Sequence, residues 1–279
     1  MYPTAFSNFK KIAVAIAFSP RREAVLFEAK RLRELYDAEL ILIHVGEKQE
    51  HKLVQLDALI DDYKIPLDKV HICWTTGDPA TKIVETCRTE QVDLLIAGAL
   101  KRENLFRYYL GSVARHITRE APCSVLIFTE PTRKSRSFQQ IIVSANPYET
   151  TDLALYHAVK LARKEKAKQL HIIREISPDW SLADVPEPPS EQEVVRETEK
   201  IEKTLQEVVK TKKLVININV AAAKKGRAIA LAAQTHHADL IVLPAPKHRW
   251  KFFDRFFNNE LNYILADLPT NLLLVKKTG

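Results

Sequence analysis

The sequence has no uninterrupted apolar run approaching the roughly 20 residues that a membrane-spanning helix needs. Its first stretch, Met1 to Phe9, is too short and too polar for a secretory signal. The three cysteines, Cys73, Cys87 and Cys123, form no CxxC motif and cannot all pair with one another. Because unpaired thiols are typical of a reducing compartment, we expect reduced cysteines, a cytoplasmic location and no membrane partner.

Patterns that carry common catalytic chemistry are also missing. The sequence contains no Walker-type loop, no GxSxG elbow and no HExxH pair, and it lacks the Ser-Gly-Gly-x-Asp-Ser and His-x-Gly-His loops of adenylating enzymes. His236 and His237 are adjacent, but no third ligand is near them in sequence, so we interpret them as surface residues. We therefore expect no enzymatic activity and no metal, apart from Mg²⁺ that accompanies a bound nucleotide.

Charge of one sign is not concentrated in any part of the chain. The 279 residues include 42 Lys and Arg against 35 Asp and Glu, a net charge of +7. Divided at Phe138, the first half holds 21 basic and 18 acidic residues (+3), and the second holds 21 and 17 (+4). A basic arm or stripe is the usual mark of a nucleic-acid-binding protein, so we do not expect nucleic acid as a partner.

The sequence does contain a regular alternation of short apolar runs with amphipathic stretches. In the first half this pattern predicts strands at 11–18, 40–45, 70–75, 94–97 and 125–128, and helices at 23–36, 53–63, 79–90 and from 112 onwards. Asp78, followed by Pro79, is expected to cap the third of these helices. Such alternation predicts an α/β fold with a parallel, doubly wound, Rossmann-like sheet that binds ligands at the carboxyl ends of its strands.

The pattern repeats after a polar, proline-bearing linker, Thr129 to Ser137. The segment Asp239–Leu243 repeats Asp93–Ala97, which marks an internal duplication. Further second-half strands are predicted at 141–145, 170–176, 214–220 and 268–275, and helices at 153–164 and 194–210. We therefore expect two tandem domains, 1–130 and 139–279, each with a five-stranded parallel sheet.

The loop and helix that follow the fourth strand predict a place to hold phosphate. Gly98 ends that strand, and Gly111-Ser112 opens the next helix, whose first N–H groups have no partner within the helix. The helix dipole favours an anion there, and the Ser112 hydroxyl adds a donor. Three residues add positive charge in the intervening loop: Lys101, Arg102 and Arg107.

These residues resemble the signature of the universal stress protein family. Its nucleotide-binding members carry Gly, two residues, Gly, nine residues and Gly-Ser or Gly-Thr, followed by an Ala-Pro-Cys-x-Val strand. Gly98 and Gly111-Ser112 stand at the family spacing, and residues 121–125 read Ala-Pro-Cys-Ser-Val. Lys101 replaces the middle glycine, and a lysine reaches a phosphate only through its side chain.

The resemblance covers the whole first half, with a second departure in the first strand. Ala17 stands where nucleotide-binding members place an Asp that contacts adenosine. The family's His-Val pair at the end of the second strand is present as His44-Val45, and the resemblance implies that Val45 forms an adenine wall. The candidate nucleotide contacts are Val45, Gly98, Lys101, Gly111, Ser112 and Val113.

The second half has lost this phosphate loop. Pro244 replaces the first glycine, and Asn258-Asn259 replaces the Gly-Ser pair. Between them, residues 247–257 carry basic side chains and five aromatic ones, which fits a packed aromatic face, a surface that stacks on single-stranded nucleic acid, or an apolar ligand cavity. Residues 177–190 are rich in proline and predict a long loop or lid.

The family resemblance implies a non-catalytic stress-response protein with two domains paired about a pseudo-two-fold axis, and a homodimer. Loss of the Asp and of the middle glycine favours a regulatory or scaffold protein with little nucleotide affinity. Retention of Gly111-Ser112 favours an ATP-binding sensor that uses the N-terminal domain. A third hypothesis is a carrier of an apolar small molecule in the C-terminal domain. The sequence identifies neither the ligand, nor a protein partner, nor the inducing stress.

Overall fold

The computed structural model describes residues 8–17, 21–101, 108–134, 136–176, 188–208, 214–245 and 260–277. The chain divides into two compact units. The first unit comprises the chain up to Arg136 and the residues from Lys276 onwards. The second unit comprises Ser137–Val275 and also Tyr108 and Tyr109, which the first unit therefore excludes. The domain limits predicted from the sequence, 1–130 and 139–279, stay predictions.

The first unit alternates strands and helices along the chain. It contains β1 (Lys11–Ala15), α1 (Arg22–Tyr36), β2 (Glu39–Val45), α2 (Glu50–Asp62), a 3₁₀ turn (Leu67–Lys69), β3 (Val70–Thr75), α3 (Pro79–Thr89), β4 (Leu94–Gly98), β5 (Leu100–Lys101), α4 (Ser112–Glu120) and β7 (Ser124–Phe128), whereas β6 (Tyr108–Tyr109) belongs to the second unit. Five of the first unit's strands are parallel, in the order β3-β2-β1-β4-β7.

The second unit repeats this arrangement. It contains β8 (Gln140–Ser144), α5 (Thr151–Glu165), β9 (Gln169–Ile176), α6 (Glu191–Val208), β10 (Val215–Ala222), α7 (Arg227–Thr235), β11 (Leu240–Pro244), α8 (Glu260–Ala266) and β12 (Asn271–Val275). Its parallel strands lie in the order β10-β9-β8-β11-β12. The predicted α/β class with Rossmann-like parallel sheets is confirmed.

Central strands in both units are buried almost throughout, as expected for a parallel sheet with helices on both faces. In β4 and β7, for example, Leu95, Ile96, Val125 and Ile127 are inaccessible to solvent. By contrast, the outer strand β3 is only half-buried or exposed along its length. The apolar runs seen in the sequence are therefore the core of each unit.

Helix starts follow from capping chemistry. The Asp78 carboxylate accepts a hydrogen bond from Thr81 N at 2.9 Å, and Pro79 is the first residue of α3, which confirms the predicted cap. Helix α6 begins at Glu191, three residues before the predicted start, because Ser190 and Glu193 form a reciprocal capping box. The first strand, predicted to reach residue 18, ends at Ala15.

One carboxylate ties the first and fourth strands together in each unit. Asp93 Oδ2 accepts hydrogen bonds from Lys10 N at 2.8 Å and Lys11 N at 2.9 Å, and Asp93 N donates to Lys11 O at 2.9 Å. In the second unit Asp239 Oδ2 binds two consecutive backbone N–H groups in the same way, at 2.7 and 2.8 Å. The aspartate at the start of the sequence repeat therefore sets where β1 meets β4 and where β8 meets β11.

We predict that Asp93→Ala lowers the free energy of unfolding by about 2 kcal/mol, because two backbone N–H groups lose a charged acceptor. Chemical denaturation followed by circular dichroism measures this. Asp57→Ala removes the same charge from an exposed position of α2 and should change stability little. Equal stability of the two variants would show that the Asp93 contacts do not hold the strand pair.

Candidate functional site

A cavity of about 590 Å³ opens at the carboxyl ends of the first unit's strands. Its walls come from the ends of β1, β2 and β4, from the first turns of α3 and α4, and from α1 and α2. In the sheet, β1 lies between β2 and β4, so the order of the strands reverses its direction at β1. The cavity therefore lies at the switch point, where open α/β sheets bind ligands.

The strand ends that form the cavity wall are fixed by aromatic side chains. His44 Nδ1 lies 3.0 Å from Ile16 O, and Trp74 Nε1 donates to Gly46 O at 2.8 Å. The His44 and Trp74 rings meet edge to face, with centroids 4.5 Å apart. These contacts place the apolar side chains of Ile16 and Val45 at the cavity.

The amino end of α4 forms a second wall. Gly111 precedes the helix in an extended conformation, and Ser112 is its first residue. Within the described part of the chain, no side chain caps this helix, so its first-turn N–H groups face the cavity side without a built-in acceptor. Such a terminus favours an anion.

Charge around the cavity is of one sign. Three basic side chains line it: Arg21, Arg22 and Lys52. Among the lining residues that the structure describes, none carries a carboxylate. Arg21 is held in place because its Nη1 donates to Ala99 O at 2.8 Å. Together with the α4 terminus, these cations suit a ligand that carries negative charge.

The structure brings most of the predicted site residues together. Five of the six candidates line this cavity: Val45, Gly98, Gly111, Ser112 and Val113. Lys101 ends the short strand β5, but its side chain lies outside the described residues, as do Arg102 and Arg107.

Sequence reasoning missed the cations that do line the cavity. Arg21 and Arg22 are adjacent in sequence, immediately before and at the start of α1, and their position just after the first strand was the available signal. Lys52, on α2, carries no such signal, because only the fold shows that α2 passes this edge of the sheet.

In the second unit, polar side chains fill the carboxyl ends of the strands. Asn146 Nδ2 lies 2.9 Å from Glu175 Oε2 and 2.9 Å from Glu260 Oε2. Asn146 Oδ1 in turn accepts a hydrogen bond from Glu175 N at 2.8 Å. All three side chains are buried.

Glu175 also occupies the amino end of α7. Its carboxylate accepts hydrogen bonds from Gly226 N at 2.7 Å and from Ala228 N at 2.8 Å. Gly226 has a φ of +87°, and an added Cβ would lie 2.9 Å from the Tyr263 ring, so only glycine fits this turn. In the second unit, the Glu175 carboxylate is thus the anion that binds the amino end of α7.

Backbone contacts identify corresponding positions in the two halves. The residue after the first strand donates to the second strand in both, as Ile16 N does to Ile43 O at 2.9 Å and Ala145 N does to Ile173 O at 2.8 Å. Counting from these contacts gives two pairs of positions: Ala17 with Asn146, and Val45 with Glu175. Small or apolar side chains therefore occupy positions in the first unit where an amide and a carboxyl stand in the second.

Burial raises the pKa of Glu260 to about 7, opposed by hydrogen bonds from Ser144 and Asn146 and reinforced by the nearby Glu175. The same surroundings raise the pKa of Tyr148, first through burial and then through Glu260 and Glu175. A carboxyl of this kind is protonated to a substantial extent near neutral pH and can then donate a hydrogen bond.

Two stretches singled out from the sequence lie outside the described residues: the aromatic run with Asn258-Asn259, within 246–259, and most of the proline-rich loop, at 177–187. His236 and His237 are exposed, which confirms their placement at the surface. The His236 ring stacks on that of His171, with centroids 3.9 Å apart.

We predict that Glu260→Gln gains stability relative to the wild type as the pH rises from about 4.5 to about 8. An acid whose pKa is raised from 4.5 to about 7 on folding binds more protons in the folded chain, so wild-type stability falls across that window. Glutamine has no proton to lose, and the shift in relative unfolding free energy should reach up to about 3 kcal/mol.

Denaturant unfolding at a series of pH values measures this difference. Glu202→Gln, at an exposed position of α6, serves as the control and should show no such trend. A difference between Glu260→Gln and the wild type that does not change with pH would contradict the raised pKa.

The fold agrees with comparisons to known proteins. A profile described as the universal stress protein family matches residues 47–129 and 137–276. Universal stress protein MJ0531 of Methanocaldococcus jannaschii is 29% identical over 96 residues, which are 34% of this chain and 55% of that protein. The chain thus spans about half the length of this relative.

Two solved structures are similar over nearly the entire chain. The functionally unknown protein PA1789 of Pseudomonas aeruginosa aligns with a TM-score of 0.72 and 18% identity, covering 99% of this chain and 95% of that one. A universal stress protein of Archaeoglobus fulgidus aligns with a TM-score of 0.70 and 13% identity, covering 99% and 100%. At these identities the likeness shows the fold alone.

Helices within the described ranges were also compared with the requirements of a membrane span, and none is both long and apolar enough to meet them. The two family matches together cover well over half of the chain, and they fall on the two halves of the internal repeat. The chain therefore belongs to the universal stress protein family and carries the family's domain twice in tandem.

Proposed function

We propose that this stress-response protein is a non-catalytic regulator whose first domain binds a nucleotide. The observation that carries the proposal is the cavity at the switch point, which combines apolar walls, basic side chains and the uncapped amino end of α4. An adenine nucleotide has the matching parts, a flat base of low polarity and a phosphate chain. Val45 would contact the base, and Ser112 and Val113 would lie beside the phosphates.

The size of the cavity supports a ligand of this class. At about 590 Å³ it falls within the roughly 300–1,000 Å³ of typical small-molecule sites. Gly98 adds a second argument, because the fold itself does not require a glycine there. A methyl group at this position would meet only Val25 Cγ2, at an ordinary 3.5 Å. The glycine instead leaves room for a ligand at the end of β4.

The two departures from the family signature shape the expected selectivity. Ala17 offers no carboxylate to a ribose, so adenosine alone should bind poorly. Recognition then rests on the phosphates, through backbone N–H groups and cations, with Lys101 as a further candidate contact. We therefore expect ATP with Mg²⁺ to bind more tightly than adenosine. The regulatory or scaffold role would then be exerted by the first domain in its nucleotide-bound form.

Other parts of the hypothesis stay predictions. An apolar ligand in the second domain depends on residues 246–259, outside the described ranges, whereas the described strand ends there carry Asn146, Glu175 and Glu260. Native mass spectrometry of freshly purified protein would reveal such a ligand. The same measurement reports whether the chain forms the expected homodimer.

We predict that Val45→Glu weakens binding of Mg²⁺-ATP by more than about ten-fold, or about 1.4 kcal/mol. This substitution places in the first domain the carboxylate that Glu175 contributes to the second, so it repels phosphate. Isothermal titration calorimetry measures the affinity. Val45→Gln has nearly the same shape without the charge and is the matched control, for which we expect a smaller loss.

Absence of ATP binding by the wild-type chain would reject the nucleotide proposal. If ATP binds to Val45→Glu as tightly as to the wild type, the nucleotide site lies elsewhere on the chain. Soaking crystals with ATP or sulfate gives an independent test, because the anion should appear beside Ser112 rather than at the strand ends of the second domain.

We further predict no ATP hydrolysis above the blank rate after rigorous purification, because none of the lining residues that the structure describes carries a carboxylate that could act as a general base. A phosphate-release assay measures this. Sustained turnover that disappears in Ser112→Ala would show that the protein is an enzyme.

A further inference from the structure

A second cluster of chemically active side chains lies away from the nucleotide cavity. One donor atom from each of His71, Cys73 and Glu90 lies within 4.8 Å of the other two. An imidazole nitrogen, a sulfur and a carboxylate oxygen are thus gathered at one point. Neither the cavity nor the proposed nucleotide function uses any of them.

Local structure explains why three residues so far apart in sequence meet. His71 and Cys73 are two positions apart on β3, so their side chains project from the same face of the sheet. Glu90 follows directly after α3, and Gln91 then adopts a left-handed conformation with φ of +54°, which turns the chain towards β4. The end of α3 therefore holds Glu90 over the outer strand.

Two contacts of Glu90 define the surroundings of the cluster. Its side chain forms a hydrogen bond with the Cys73 thiol, so two of the three donor groups already lie in contact. Lys11 Nζ is close, but it donates to the main-chain oxygen of Glu90, at 3.1 Å.

A groove of about 350 Å³ gives access to the cluster at the amino ends of the strands. His71 and Glu90 line it, together with two further carboxylates, Glu39 and Asp68. Lys11 and Lys69 also line the groove, so its described lining carries three carboxylates against two lysines, an excess of one negative charge. The groove lies at the edge of the sheet opposite to the nucleotide cavity, so occupancy of one does not require the other.

We propose that His71, Cys73 and Glu90 form a Zn²⁺-binding site. The donor set of one sulfur, one imidazole and one carboxylate lies within the range that zinc accepts, and three protein ligands leave a fourth tetrahedral position for water. On binding, Zn²⁺ replaces the thiol proton, which passes to solvent, and no redox change occurs. The metal joins the outer strand β3 to the end of α3. No sequence motif indicated this site, because Glu90 is 17 positions beyond Cys73.

Cobalt provides a direct test, because Co²⁺ takes the same ligands as Zn²⁺ and absorbs light. The metal-free full-length chain is titrated with Co²⁺, and the product is titrated with Zn²⁺. We expect one Co²⁺ per chain, a thiolate-to-cobalt charge-transfer band, and loss of that band as Zn²⁺ displaces Co²⁺. Zn²⁺ should also raise the melting temperature of the wild-type chain.

Variants assign the ligands. Cys73→Ser should abolish the charge-transfer band, and His71→Gln and Glu90→Gln should each weaken metal binding by more than about ten-fold. Melting curves without metal establish that each variant is folded, and the two glutamine variants keep the test decisive if Cys73→Ser does not fold. His236→Gln alters the exposed histidine stack of the second unit and is the matched control, with no expected change.

Three outcomes would overturn the proposal. The wild-type chain could bind no Co²⁺ with a thiolate band, the band could survive Cys73→Ser, or binding could be lost in His236→Gln and retained in His71→Gln and Glu90→Gln. None of these results depends on nucleotide, so failure here leaves the proposed function of the cavity standing.

Discussion

The bond between one aspartate and the backbone of the neighbouring strand organises each unit. Asp93 binds the N–H groups of Lys10 and Lys11, and Asp239 does the same one repeat later, so the fourth strand of each unit is aligned with the first at their amino ends. Since the strands are parallel, this alignment also determines how their carboxyl ends meet. The switch point, and with it the cavity of the first unit, depends on that register.

One scaffold therefore presents two different chemistries at equivalent edges. In the first unit, apolar side chains and cations surround a cavity next to an uncapped helix terminus. In the second unit, Asn146 joins two carboxyls in a buried network of internal hydrogen bonds. Buried polar groups of this kind stabilise a structure only when they are paired, which explains why Glu175 has several backbone donors.

Local sequence patterns predicted the fold and much of the first site, but long-range contacts were hidden from them. The spacing between Gly98 and Gly111-Ser112 can be read from the sequence, and apolar runs indicate buried strands. The role of Glu175 could not be predicted from the sequence, because its hydrogen-bond partners Gly226 and Ala228 lie more than 50 positions away. The cluster of His71, Cys73 and Glu90 was invisible for the same reason, since only the packing of α3 on the sheet brings it together.

The difference between the two edges begins at a helix cap. In the first unit Asp78 caps α3 with its own carboxylate, so the corresponding strand end can carry the apolar Val45. In the second unit the matching helix, α7, starts after Gly226, which has no side chain to offer. Its first N–H groups still need an acceptor once they are buried, and Glu175 supplies it from the strand end. That carboxylate fills the strand end of the second unit, whereas the apolar Val45 lines an open cavity at the corresponding place in the first.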